Sequence, residues 1–197
     1  MIEVIDDLLD KETHELLYNL VKDQHFDWHW CASTVQMPTH LPNDTFQFVK
    51  SIYLDSDAEP DLKEKIIDKD PFNEVGRKFP EFFQIAWKAL ERSEREFAGI
   101  DMFLRIKANL LTSVANRPHY HPPHIDTDAE GFMSCIYYLH DSDGDTHFFP
   151  QNEQGTTVTP KANRGVLFDS NIRHCSSNPI TTERRMIINS VFRPKYS

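Results

Sequence analysis

The sequence predicts an α+β fold, with helices first and a β-rich half arranged as a sandwich or jelly roll. Three observations predict it. Two segments before residue 99 carry apolar residues at helical spacing. After Gly99, short apolar runs alternate with turn signals at close intervals. No internal repeat or low-complexity tract interrupts that progression.

In chain order, Asp10 or Thr13 caps a first helix whose stripe is Leu16, Leu17, Leu20 and Val21. Residues 26–45 hold two tryptophans, two prolines and little periodicity, and read mostly as loop. Residues 46–54 alternate as a strand. Residues 55–71 are acidic and read as a solvated face. The longest helical pattern is 74–97, with Phe79, Phe82, Phe83, Ala86, Trp87 and Leu90 on one side. Pro80 marks its start or a kink, and Ala98-Gly99 its end. Strands are then expected over 102–112, 132–139, 146–149, 156–158, 165–168, 174–176 and 185–192. Turns fall at Asp143-Gly144-Asp145, Gln154-Gly155 and Asn163-Arg164-Gly165. The expected organisation is one domain, 1–197, with a helical or mixed part (1–99) and a β core (100–193).

Composition narrows the function. Lys and Arg number 21 against 31 Asp and Glu, for a net charge of −10. That balance argues against nucleic acid or an anionic membrane surface as partner. No apolar run is long enough to span a bilayer, and the acidic N-terminus is unlike a signal peptide. The 3 cysteines, Cys31, Cys135 and Cys175, form neither a disulfide framework nor a CxxC pair. A reducing cytoplasm is expected.

The informative segment is His121-Pro122-Pro123-His124-Ile125-Asp126. In extended chain, residues i and i+2 share a face, so His124 and Asp126 aim an imidazole and a carboxylate at one point. Two histidines and one carboxylate, with open positions left over, form the ligand set of non-haem Fe(II) oxygenases. His174 is the best third ligand, placed after several expected strands and the polar turn that follows Phe168.

The order of motifs resembles the 2-oxoglutarate/Fe(II)-dependent dioxygenase superfamily, in pattern its small prolyl-4-hydroxylase-like members, over residues 100–193. His124-Ile125-Asp126 resembles the HxD motif, and Ile136-Tyr137-Tyr138-Leu139 the strand after it. Gly144-Asp145-Thr146-His147-Phe148 resembles the GGxTxF hairpin, with Asp145 in place of the second glycine. Residues 158–168 resemble VxPxxGxxxxF, with Asn163 at the glycine position, where Asn tolerates left-handed backbone. His174 resembles the distal iron ligand.

The resemblance implies a double-stranded β-helix (jelly roll) with N-terminal supporting helices. It implies Fe(II) as cofactor, 2-oxoglutarate as co-substrate and ascorbate as an optional reductant. It also implies a hydroxylation that releases succinate and CO2, on a peptidyl proline, an amino acid or a small metabolite. A basic residue about ten positions past the distal His would hold the far carboxylate of 2-oxoglutarate, and Arg184 and Arg185 both qualify. They face opposite ways in a strand, and the spacing from Arg185 to Asn189 favours Arg185. Asn109, Tyr120 and Tyr137 (or Tyr138) are further candidates for 2-oxoglutarate contact. The presence of Asp126, which would be missing from a halogenase, favours hydroxylation.

The competing reading is a non-catalytic, cupin-like metal-binding or structural protein, using His119-Tyr120-His121 with Glu130. It leaves the GDTxF hairpin and the downstream Arg unexplained. His147 reads as packed or surface, His14, His25, His29 and His40 as structural or surface, and Cys175 as a buried thiol facing away from the metal. Trp28-His29-Trp30 reads as core packing.

Overall fold

The computed structural model describes residues 1–35, 44–55, 78–114, 120–151 and 154–196. Most of the acidic segment, the start of the expected second helix, His40 and His119 lie outside these residues. Among the described residues there are ten strands and two helices. In order they are β1 (Ile2–Ile5), α1 (Lys11–Lys22), β2 (His29–Cys31), β3 (Gln47–Leu54), α2 (Glu81–Glu91), β4 (Phe97–Thr112), β5 (Met133–Tyr138), β6 (Thr146–Phe149), β7 (Thr156–Val158), β8 (Arg164–Asp169), β9 (Arg173–Ser176) and β10 (Arg184–Tyr196).

The strands form a double-stranded β-helix of two antiparallel sheets. The major sheet runs β1-β8-β5-β10-β4-β3-β2, and the minor sheet β7-β6-β9. Alternation along β4, β5 and β10 divides the side chains between two cores. On the outer face, Ile106, Ala108, Cys135, Tyr137, Met186 and Ile188 pack against Leu17 and Val21 of α1 and Phe82, Ile85 and Ala89 of α2. On the inner face, Ile136, Tyr138, Phe148, Val166, Phe168 and Ile187 fill the space between the sheets. Burying apolar side chains on both faces gives the central strands about 1.5–3 kcal/mol each for a large residue.

Helix α1 starts where expected. The Asp10 side chain accepts from the Thr13 backbone at 2.9 Å, satisfying an orphan N–H of the first turn. Leu16, expected on the stripe, is exposed, and Leu17 and Val21 carry the contact.

Four differences from the expected elements have physical causes. β1 caps the far edge of the major sheet by pairing Ile2–Ile5 with Phe168–Gly165, a partner distant in sequence. β2 adds to the other edge, within the segment read as loop, and leaves Trp30 63% exposed; only Trp28 of that cluster packs on the core. Helix α2 ends at Glu91 rather than 97, because residues 91–96 are all polar and offer no face to bury. Gly99 therefore lies inside β4 rather than ending a helix. Its φ is +142°, and a Cβ there would meet the Trp87 ring at 3.1 Å, so glycine lets α2 lie close on β4. No helix among the described residues is long and apolar enough to cross a membrane.

Candidate metal centre

His124, Asp126 and His174 converge from opposite sides of the barrel mouth. One ligand atom from each lies within 4.8 Å of the others. Asp126 is buried at 7% exposure, and the imidazoles stand 4.6 Å apart between centroids. The separation is held by the main chain. His124 and His174 form an antiparallel bridge, exchanging N–H···O bonds of 2.9 and 2.8 Å.

Each ligand is held in a particular state. His174 Nδ1 lies 2.9 Å from the Ile172 carbonyl, which only accepts, so Nδ1 carries the proton. Its Nε2 points to the triad and stands 3.7 Å from Asp126 Oδ2. Burial, and then the neighbouring His174, push the His124 pKa down to about 3, which keeps that ring neutral. Its buried Nδ1 has no hydrogen-bond partner. Asp126 receives Ser134 Oγ at 2.7 Å, Asn189 Nδ2 at 3.1 Å and the guanidinium of Arg105. Burial alone would raise the Asp126 pKa; Arg105 and the two histidines outweigh it and hold the carboxyl below the usual range. The neutral His124 imidazole, the His174 imidazole turned toward the triad and a fixed carboxylate fit a divalent iron, with room for further ligands on the pocket side.

The pocket is a cleft of about 470 Å³, part of it open to solvent. His124, His174, Asn189 and Lys107 border it near the triad, and Arg185, Thr146 and Leu111 border it farther along. β4 and β10 supply alternate residues. Lys107, Asn109 and Leu111 line one wall, with Asn189, Ile187 and Arg185 paired opposite them. Arg185 Nη2 donates to Thr146 Oγ1 at 2.7 Å, Tyr138 donates to the same oxygen at 2.7 Å, and Arg185 Nε has no partner. A buried guanidinium with a spare N–H is suited to an incoming carboxylate. Arg184 is exposed on the opposite face.

The other expected contacts divide. Asn109 lines the pocket and donates to Gln47 Oε1 at 2.8 Å. Tyr137 does not reach it and is corrected: its hydroxyl lies on the outer face, donating to Asn163 at 2.8 Å and meeting His14 at 2.7 Å. Strand alternation brings Tyr138 inward instead. Tyr120 is not among the residues lining the pocket, and its ring packs near His147 and Phe149. Cys175 is buried, its thiol pushed up to about 12 by burial, and it contributes to the pocket wall. Arg105, Ser134 and Asn189, which clasp Asp126, were not singled out as carboxylate partners; their inward phase on β4, β5 and β10 was the available signal. A cupin-like site does not form among the described residues. His121 has both ring nitrogens within hydrogen-bond reach of protein groups and Glu130 is exposed.

Residues 111–193 match the model of a family described as the 2OG-Fe(II) oxygenase superfamily. No curated protein matches the chain. Among solved structures, the chain is similar in fold to a Pseudomonas putida prolyl-4-hydroxylase (TM-score 0.59, 14% identity, covering 98% of this chain and 92% of that one). It is similar to a 2OG-Fe(II) oxygenase family oxidoreductase from Burkholderia pseudomallei (TM-score 0.61, 13% identity, 100% and 87%). A third similar structure is the non-haem α-ketoglutarate-dependent epimerase SnoN of nogalamycin biosynthesis (TM-score 0.60, 13% identity, 98% and 80%).

Proposed function

We propose, from the match of residues 111–193 to the 2OG-Fe(II) oxygenase superfamily, that the chain hydroxylates a small molecule or peptide, with His124, Asp126 and His174 holding Fe(II) and Arg185 receiving the far carboxylate of 2-oxoglutarate. The observation that carries the reading is the convergence of three ligand atoms within 4.8 Å on a pocket that also holds Arg185. When bound, the iron and 2-oxoglutarate supply the oxidising power, coupling dioxygen to release of succinate and CO2 and to insertion of one oxygen atom into a substrate C–H bond.

The chain's own residues orient and enclose. His174 presents Nε2 because Ile172 occupies its other nitrogen. Ser134, Asn189 and Arg105 hold Asp126 in one orientation. As a carboxylate at the site, Asp126 would be a ligand that a halogenase lacks, which favours hydroxylation. Arg185 and Thr146 form the polar end for the co-substrate carboxylate, and Ile136 and Ile187 beside them limit water. We place the enzyme in the cytoplasm as a single domain over 1–197, with no nucleic-acid partner; ascorbate would serve only to restore Fe(II).

The test is anaerobic addition of Fe(II) and 2-oxoglutarate to the metal-free protein. The wild type should develop the visible charge-transfer band of iron with 2-oxoglutarate, and His124→Ala and Asp126→Ala should abolish it. If both variants keep the band, the assignment of the iron ligands fails.

A further inference from the structure

We infer that His121 is a positioning residue for the iron site, anchoring the segment that carries His124 through a strut of two prolines and so setting where His124 stands relative to His174. The inference rests on reading His124, Asp126 and His174 as iron ligands.

Residues 121–124 run antiparallel beside β9. The His121 backbone donates to the Ser176 carbonyl at 2.8 Å, and His124 and His174 exchange the next pair of bonds. Between these ties lie Pro122 and Pro123, which have no N–H to give. Three steps along this segment therefore span two along β9, with no main-chain donor in between. Each proline has a locked φ, so the link is stiff and a shift at one end is passed to the other. The register of His124 depends on its own bridge to His174, on the Arg173 guanidinium that donates to the Pro123 carbonyl at 3.3 Å, and on whatever fixes His121.

The His121 side chain supplies that fixing. It is 1% exposed and does not line the pocket. Its Nε2 lies 2.7 Å from Asn178 Oδ1, and its Nδ1 3.1 Å from Ser176 Oγ. The polarity follows from the network. Asn178 Nδ2 donates to the Thr112 carbonyl at 2.9 Å, so Asn178 Oδ1 faces His121 as an acceptor. His121 Nε2 therefore carries the proton, and Nδ1 accepts from the Ser176 hydroxyl. The Thr45 hydroxyl, just before β3, lies 3.2 Å from His121 Nε2 and 3.3 Å from the same Asn178 oxygen, so it accepts from the ring N–H or donates to that oxygen. One neutral ring in one tautomer joins the ends of β9 and β4 to the start of β3.

The test separates this role from general stability by measuring metal affinity and apo-protein melting together. Mn(II), a redox-stable stand-in for Fe(II), is titrated into the metal-free protein, and free Mn(II) is read by electron paramagnetic resonance. His121→Gln places an amide N–H near the ε position and keeps the donor to Asn178. His121→Asn places its amide at the δ position and cannot reach Asn178. The Gln variant should bind within about threefold of wild type, and the Asn variant about tenfold to a hundredfold more weakly, the range for groups that orient metal ligands. Asn178→Ala, which removes the acceptor from the other side, should match His121→Asn and decides the matter alone if that variant does not fold. Wild-type affinity in both His121→Asn and Asn178→Ala overturns the inference. Equal losses in the Gln and Asn variants overturn the assignment of Nε2 as the donor. Failure of the wild type itself to bind Mn(II) overturns the iron-site reading, and this inference with it.

Discussion

Arg105 and Arg185 approach the centre of the fold from neighbouring antiparallel strands, β4 and β10. Arg105 gives its guanidinium to Asp126, a carboxylate of the same chain. Arg185 is 3% exposed, yet no carboxylate among the described residues pairs with it; its neighbours are the Thr146 hydroxyl and the Tyr138 ring. Burial pushes the Arg185 pKa down, the sign that its charged form is penalised. An unpaired buried charge costs several kcal/mol. The difference teaches where a ligand belongs. Arg105 has an anion supplied by the protein, the carboxylate of Asp126, whereas Arg185 has no carboxylate within ion-pair distance among the described residues, which is the match that the proposed 2-oxoglutarate contact would supply.

That contrast breaks or holds at Arg185. Arg185→Ala should weaken 2-oxoglutarate binding about a hundredfold or more, since losing one partner of a buried charge pair costs about 2–5 kcal/mol. Mn(II) affinity without 2-oxoglutarate should stay near wild type in the same variant. Arg184→Ala, altering an exposed side chain on the other face, should change neither. Calorimetric titration reads all three, and equal losses in the two variants would remove the distinction between them.

A smaller effect is expected at Gly144, which sits under Arg185. A Cβ there would meet the Ser177 carbonyl at 2.7 Å and Arg185 Cδ at 3.0 Å. Gly144→Ala should destabilise the fold by about 1–3 kcal/mol through overpacking and weaken 2-oxoglutarate less than Arg185→Ala does. Urea unfolding and the same titration would measure it, and an unchanged urea midpoint would show that the hairpin yields freely.

Arg164 gives the small end of the scale, as an arginine paired near the surface. Its Nε and Nη2 donate to Asp6 at 2.6 and 3.0 Å. Those hydrogen bonds, with burial opposing, lower the Asp6 pKa from 3.8 to about 2. Because the folded value is depressed, the pair's contribution is present above the unfolded pKa and is lost as pH falls through the folded one. The melting difference between wild type and Asp6→Asn should be small and constant near neutral pH, and should shrink as pH falls from 3.8 towards about 2. A difference that grows on acidification would mean the pair does not act this way.

Much of the site was legible because its signals are local. His124 and Asp126 are two apart on extended chain, and strand alternation alone separates Arg185 from Arg184. Asn163 was also readable: it takes φ 62°, the left-handed backbone expected of the residue at a glycine position. Its side chain does more than the motif implied, holding Leu9 through two hydrogen bonds and accepting from Tyr137. Tyr137 and Tyr138 show where local reading stops. Alternation says that they face opposite ways, but which faces inward depends on what covers each side of β5. The helices α1 and α2 cover the side with Cys135 and Tyr137, and that packing decides the phase.

The sequence by itself determined most of the order of elements, the candidate ligand types and the alternation that pairs them, because these depend on residue chemistry and on the two-residue repeat of a strand. Tertiary structure decided the edges of the major sheet, where β1 finds β8 across more than half the chain. It also decided which arginine is matched internally, which tyrosine faces inward, and that the His121 ring is buried away from the pocket. Each of these depends on a partner distant in the chain, and a partner's identity is not written in the residues that await it.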